Sequence, residues 1–424
     1  MKNYFHVNLL KYILKWGILS SIVGILCGCT SAFFLKSLEY VTNIRESNSF
    51  LLYLLPLAGA FISFIYFKYG LNSSKGNNLI IEQANGEKES IPFRMAPLVL
   101  FGTIATHLFG GSAGREGTAV QIGGALSEFV GKIFKLNALD RKVIIICGIA
   151  GGFSSVFGTP IAGTIFSIEV LALGIINHSA IFPALISALV GNIVTTSFNV
   201  HHSHYSIGSI PNFTYILLIK VIIASVLFGL VALAFSNITY YLKTKVFSIF
   251  KNALVKSFIG GCIIIFLVEI LGTRKYLGLS LPLIENAFNG DVSLFTFLNK
   301  LIFTSITLGS GYQGGEVTPL FVIGSTFGSF LATIFNTPIP FLTALGFIGV
   351  FCGATNTPIA CFAMGIELFG SDGAIYLFIV CVISYLFSGH TGIYTSQKIG
   401  SSKPSFVSIN KEETILSLKS KSLK

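Results

Sequence analysis

Charge is what this sequence has least of. Only 11% of its 424 residues are Asp, Glu, Lys or Arg, against 53% that are hydrophobic; a soluble chain carries about a quarter charged residues. From Val143 to Ile219 the one formal charge is Glu169, and from Leu301 to Ser371 there are two, Glu316 and Glu367. A water-soluble globular protein is thereby excluded. Catalytic patterns are missing as well: there is no HExxH, no paired aspartates and no nucleophile with a base nearby, so a membrane-embedded enzyme has no support. The seven cysteines lie in apolar stretches without a CxxC pair, which argues against a zinc or redox motif and for small buried residues. His201, His202 and His204 share a polar connection with no carboxylate or Cys. They read as a surface loop, and neither a metal nor a cofactor is expected.

What the chain does have is length in apolar segments, which begin near residues 16, 50, 96, 143, 178, 214, 257, 292, 317, 341 and 373. At roughly 20 apolar residues per crossing there is room for about ten to twelve spanning or half-spanning helices. The N-terminal run passes through Leu26-Cys27-Gly28-Cys29, a faint likeness to a lipoprotein cleavage site, but it stays uncharged from Trp16 to Leu35 and reads as a span. The net charge is +11, and its cations sit in connections and ends. They are Lys132, Lys135, Arg141 and Lys142; Lys243, Lys245, Lys251 and Lys256; and Lys398, Lys403, Lys411, Lys419, Lys421 and Lys424. Basic flanks of spans mark the cytoplasmic side. The lysine-rich tail therefore places the C-terminus inside, and the excess gives no indication of nucleic acid.

The segments are interrupted, as in Gly148-Ile149-Ala150-Gly151-Gly152, Gly158-Thr159-Pro160 and Gly309-Ser310-Gly311-Tyr312-Gln313-Gly314-Gly315. Irregular backbone at membrane depth is tolerated only inside protein or along a polar cavity, which points to a transporter or channel interior. The interruptions repeat. Gly158-Thr159-Pro160-Ile161-Ala162 and Glu169 recur 198 residues later as Asn356-Thr357-Pro358-Ile359-Ala360 and Glu367. Gly114-Arg115-Glu116-Gly117-Thr118 aligns with Gly314-Gly315-Glu316-Val317-Thr318 at an offset of 200, and Gly124 with Gly324. A two-residue gap reconciles the offsets. The expected division is an N-terminal cytoplasmic segment 1–9, a first transmembrane repeat 10–200, a second 201–397 and a basic polar tail 398–424 that is flexible or surface-associated. Between repeats of this kind the substrate site lies near the midplane.

The candidate site follows from two helix starts. Gly110-Gly111-Ser112-Ala113-Gly114-Arg115-Glu116-Gly117 passes from glycine-rich loop to helix near Gly117, and Val317-Thr318-Pro319 opens a second helix. Unpaired N–H groups and the positive dipole end favour an anion at each. Gly76-Asn77-Asn78-Leu79 is a third candidate, with the Asn77 amide as donor. Glu116 is a carboxylate where the anion should go: deprotonated it competes as a tethered anion, protonated it swings away, and that couples protons to anions. A fixed capping carboxylate is the plainer alternative. Glu316 lies one residue before its helix start, and Thr318 offers a hydroxyl beside it. Glu169 and Glu367 read as scaffold, Glu269 as interfacial, and Tyr394 as interfacial by default.

These residues resemble the CLC family of anion channels and anion/proton antiporters over roughly residues 10 to 400. The resemblance implies an all-α integral membrane protein with an inverted-repeat fold of broken and half-spanning helices. It implies a homodimer with one pathway per subunit, Glu116 as gating and proton-carrying glutamate, and Tyr394 at the inner gate. Where chloride-handling members have Gly-Ser-Gly-Ile-Pro this chain has Gly76-Asn77-Asn78-Leu79; Glu316 and Val317 replace apolar residues; and Val170 stands where an internal proton glutamate would be. Those departures resemble the fluoride-transporting bacterial clade, and imply fluoride and protons as the transported ions, with Asn77, Asn78, Gly114, Arg115, Gly117, Glu316, Val317, Thr318 and Tyr394 around the anion. The expected setting is the lipid of a bacterial inner membrane. A chloride/proton exchanger or passive anion channel of the same fold is the open alternative.

Overall fold

The computed structural model describes residues 2–87, 89–203, 205–404, 409 and 413–422. His204, Lys411, Lys424 and the side chain of Lys421 lie outside the described residues. The first half supplies α1 (Lys2–Ser47), α2 (Leu55–Tyr69), α3 (Asn77–Ala84), α4 (Met95–Leu108), α5 (Glu116–Ile133), α6 (Ala138–Phe157), α7 (Pro160–Glu169) and α8 (Ile181–Ser197). The second supplies α9 (Tyr215–Tyr241), α10 (Ala253–Leu271), α11 (Leu281–Asn289), α12 (Thr296–Gly309), α13 (Val317–Phe335), α14 (Ile339–Thr355), α15 (Pro358–Phe369) and α16 (Ala374–Phe387). Eight helices match eight in order, and α17 (Ile415–Ser422) follows. The strands are two residues each, β1 (Ala172–Leu173) parallel to β2 (Lys398–Ile399). Among the described residues, six helical stretches are long and apolar enough to cross a bilayer. By contrast α7, with 10 residues, and α15, with 12, reach only about half way at 1.5 Å per residue.

Local sequence explains where these helices start and stop. The Asn137 side chain accepts from the N–H groups of Leu139 and Asp140 and opens α6, which ends on Gly158 at φ +77°. Pro160 and Pro358 then start α7 and α15 where a missing N–H costs nothing. The helices cross at glycine: a Cβ on Gly148 would fall on the Gly123 carbonyl, and one on Gly346 on the Gly324 carbonyl. This close backbone approach in both α5/α6 and α13/α14 is the small-residue packing expected in lipid.

The halves are tied by reciprocal caps. Glu169, closing α7, accepts from the N–H groups of Ile359 (3.1 Å) and Ala360 (2.8 Å) in the first turn of α15. Glu367 in α15 accepts from Ile161 (2.9 Å) and Ala162 (2.7 Å) in the first turn of α7. Each carboxylate thus satisfies orphan donors of the other repeat, the scaffold role expected for this pair. Glu269 is exposed and accepts from the Tyr53 hydroxyl at 2.8 Å.

One expectation is corrected and one alternative is decided. The upstream repeat block is offset by 201 residues, not 200: α5 begins at Glu116 and α13 at Val317, and Gly114 pairs with Gly315. Glu316 is therefore the counterpart of Arg115, and the chance Gly-x-Glu identity had shifted the alignment by one. The gap between blocks is correspondingly three residues, taken up where α6 has 20 residues and α14 has 17. Of the two forms expected for the tail, residues 413–422 take the associated one: Ile415 is fully buried, the Leu416 N–H donates to the Thr395 carbonyl at 2.8 Å, and the Lys419 ammonium sits 4.7 Å from the Tyr240 ring centre.

Candidate anion site

The two glycine-rich loops meet at the centre. Gly114 N–H donates to the Gly315 carbonyl (2.6 Å) and Gly315 N–H to the Gly114 carbonyl (2.7 Å), an antiparallel bridge that puts the starts of α5 and α13 side by side. Glycine is needed here because a Cβ on Gly114 would lie 2.9 Å from Pro319 Cδ and 3.0 Å from the Gly315 oxygen. The Glu116 carboxylate is 1% exposed. It accepts from the Thr318 hydroxyl at 2.6 Å, the Thr318 N–H at 3.0 Å and the Arg115 N–H at 3.2 Å. Arg115 Nε stands 3.5 Å from its Oε1. A charged oxygen pair thus sits at the start of the other repeat's helix, held by hard O–H and N–H donors and the dipole of α13.

Cavities approach this point from both faces. On the face away from the tail, a cavity of about 700 Å³ is walled by Lys36, Glu39, Arg45, Glu46, Arg115, Arg274 and Lys275. It shares Arg115, His202, Ser203 and Leu281 with a narrow space of about 30 Å³ bounded by Glu116, Phe157, Thr318, Phe321 and Phe347. That volume accommodates one or two water-sized occupants. On the tail face a cavity of about 500 Å³ is lined by Lys75, Asn77, Gln121, Lys243, Lys256, Glu316 and Tyr394. A neighbouring one of about 230 Å³ shares Asn78, Lys243 and Glu316 and is flanked by Leu416 of α17. The Glu116–Thr318 contact lies between the two sides.

Of the expected residues, Gly114, Arg115, Glu116, Gly117, Val317 and Thr318 converge. Asn77 joins them, since a Cβ on Gly117 would lie 2.8 Å from Asn77 Nδ2. Asn78 lines the tail-side cavities, but its side-chain oxygen accepts from the Ser396 N–H at 3.0 Å, which fastens the chain just after Tyr394. Glu316 is half-buried and opens onto the tail side, as its equivalence to Arg115 on the opposite face requires in an inverted repeat. Tyr394 is 4% exposed, so the interfacial default is corrected: it is packed edge-on to Phe166, 6.2 Å between ring centres, and faces the tail-side cavity. His202 borders the far-side passage and is not a free surface residue, while His201 is exposed. Among the described residues no cluster of His, Cys, Asp or Glu could hold a metal.

Three features went unread in the sequence. Gln121, one turn beyond Glu116, is 5% exposed, and its Oε1, like Asn77 Oδ1, is buried without a hydrogen-bond partner facing the tail-side cavity. A polar residue inside Ala119-Val120-Gln121-Ile122 was the available signal. The phenylalanine wall at 157, 321 and 347 carried none among 40 phenylalanines. Lys300, within the apolar segment that begins near 292, was given no role, yet it is wholly buried.

Glycine-broken half-helices from two inverted repeats, closing on one carboxylate between opposed cavities, define a multi-pass ion-transport protein. The voltage gated chloride channel family model matches residues 58–389, and the chain belongs to that family, the CLC channels and transporters. It is similar to a chloride/fluoride channel protein of Pseudomonas syringae pv. tomato, 43% identical over 403 residues that cover 94% of this chain and 89% of the relative. Among solved structures it resembles a CLC-type fluoride/proton antiporter at a TM-score of 0.89 and 35% identity, covering 91% of this chain and 98% of that one. A slow cyanobacterial chloride/proton antiporter, at TM-score 0.75 and 18% identity over 88% and 94%, shares the fold.

Proposed function

We propose that the protein is a homodimeric fluoride/proton antiporter of a bacterial inner membrane, expelling fluoride from the cytoplasm. The observation that carries this is the Glu116 carboxylate held across the repeats by the Thr318 hydroxyl and amide. Those donors suit fluoride, a small and strongly hydrated acceptor that gives up water only for hard hydrogen-bond donors. The fluoride named for the Pseudomonas relative and for the solved antiporter supports the same ion.

With the lysine-rich tail inside, the tail-side cavity faces the cytoplasm, and Lys75, Lys243 and Lys256 draw anions into it. Deprotonated Glu116 fills the site and blocks passage. Protonation removes the charge that the Thr318 donors hold, the side chain leaves, and fluoride takes its place on the same donors. Asn77, Glu316 and Thr318 set ion preference, and Tyr394 borders the inner access route. Exchange with protons lets fluoride fall below the level that the membrane potential alone, about 2.3 kcal/mol per 100 mV for each charge, would set.

The test is efflux from proteoliposomes followed by fluoride and chloride electrodes together with a pH probe. Fluoride should leave with counterflow of protons, and Glu116→Gln should abolish coupled exchange. Chloride leaving faster than fluoride would favour a chloride/proton exchanger, absence of proton movement would favour a channel, and undiminished proton flux in Glu116→Gln would place the gate elsewhere.

A further inference from the structure

Lys300, at the start of the second turn of α12, has no part in the proposed transport cycle and is 0% exposed. Its Nζ lies 2.8 Å from the Gly278 carbonyl, 2.9 Å from Ser280 Oγ, 2.9 Å from Ser112 Oγ and 3.2 Å from the Tyr276 carbonyl. None of the four is a carboxylate. Carbonyl oxygens only accept, and the Ser280 hydroxyl donates to the Leu277 carbonyl at 3.2 Å, so at least three of the four oxygens turn lone pairs to the nitrogen. An ammonium has three N–H donors, enough for these three acceptors, whereas an amine has two and leaves one of them unserved. The set matches a cation.

The backbone is bent to make this cage. Gly278 at φ +61° and Ser280 at φ +59° both occupy the left-handed region, which a serine enters at a cost and keeps only when its surroundings demand it. The cage also reaches the gate. Ser112 lies four residues before Glu116 in the loop that opens α5; its N–H donates to Thr307 Oγ1 at 3.1 Å, and the Gly278 N–H donates to the Gly111 carbonyl at 3.1 Å.

We propose that the Lys300 ammonium is a tethered monovalent cation that pins the gate loop, seated in an oxygen cage that takes free sodium or potassium when the side chain is cut back. Two carbonyls and two hydroxyls are hard ligands of the kind that replace an alkali ion's hydration shell. Without a carboxylate they suit a single charge and not calcium.

Lys300→Ala and the uncharged, cage-filling Lys300→Met are compared with wild type in sodium, potassium and choline gluconate, by thermal unfolding in detergent and by fluoride efflux from proteoliposomes. The wild type should be indifferent to the cation. Lys300→Ala should unfold at a lower temperature in choline and recover in sodium or potassium with a saturable dependence. Its efflux should follow, falling on the order of 100-fold in choline as expected for a displaced positioning group. Lys300→Met should lose efflux in all three salts. An unfolding midpoint of Lys300→Ala that is the same in every salt overturns the proposal, as does wild-type efflux by Lys300→Met. If Lys300→Ala does not fold, the Met variant decides alone: lost efflux with a retained dimer supports the tethered cation, and wild-type efflux refutes it. Thermal unfolding needs no transport, so a wild type that fails to move fluoride would sink the transport reading and leave the cation dependence legible.

Discussion

Replacing Thr318 by Val keeps the shape of the side chain and the backbone N–H, but deletes the hydroxyl that donates to both oxygens of Glu116 at 2.6 Å. A hydrogen bond to a charged group contributes about 1.5–3 kcal/mol. The carboxylate would keep the Thr318 amide at 3.0 Å and the Arg115 amide at 3.2 Å, so the blocked pose weakens and does not vanish. At roughly 1.4 kcal/mol per decade the blocked-to-open ratio falls about 10- to 150-fold. On the proposed cycle, anions would then pass without waiting for the proton that clears Glu116. Fluoride bound at the proposed site would also lose its hardest donor, while chloride, larger and less dependent on hydrogen bonds, would lose less. The expected phenotype of Thr318→Val is a faster chloride leak, slower fluoride efflux and fewer protons moved per anion, with Thr318→Ser close to wild type. Paired fluoride and chloride electrodes with a pH probe on reconstituted vesicles measure all three. A Thr318→Val protein with the wild-type proton-to-fluoride ratio refutes the reasoning, and so does a Ser variant as uncoupled as the Val variant.

The remaining predictions concern the scaffold. Glu169→Ala strands the buried Ala360 amide at about 1–3 kcal/mol and frees the part-buried Ile359 amide at less; Glu367→Ala frees an exposed and a part-buried amide and should cost less, so the unfolding midpoints in detergent should rank wild type above Glu367→Ala above Glu169→Ala. Equal midpoints for the two variants would show that the caps carry no burial-dependent energy. Gly346→Ala presses a methyl group onto the Gly324 carbonyl, backbone against backbone, and should destabilise by about 1–3 kcal/mol or more. A wild-type unfolding temperature for that variant would mean α13 and α14 part freely.

Much of this protein was legible in its sequence because membrane residence suppresses charge and leaves the exceptions visible. Glu116, Glu169, Glu316 and Glu367 stood out, and the Thr-Pro-Ile-Ala repeat gave the correct 198-residue spacing because Pro160 and Pro358 mark helix starts unambiguously. The other block misled by one residue, since a shared glutamate outweighed helix register, and only the Gly114–Gly315 bridge shows that Glu316 stands opposite Arg115. Neither the Glu116–Thr318 contact nor the crossed caps could be read from spacing, because both join groups about 200 residues apart. Lys300 was invisible for a different reason: a lone lysine in an apolar segment belongs to no repeat or motif, and its four oxygens come from two loops far from it in sequence.

The crossed caps also set an order of events in time. Glu169 leaves the ribosome 198 residues before Glu367, and at about 5–20 residues per second that is a wait of roughly 10–40 s. Through that interval α7 carries an uncapped first turn and, at its other end, an unpaired carboxylate. The first half therefore cannot finish its own assembly. It must stay at the insertion site, or with a chaperone, until α15 arrives, and the two short helices seat together as the closing step. Supplied as two separate polypeptides, each half should be degraded when made alone and survive when both are made together.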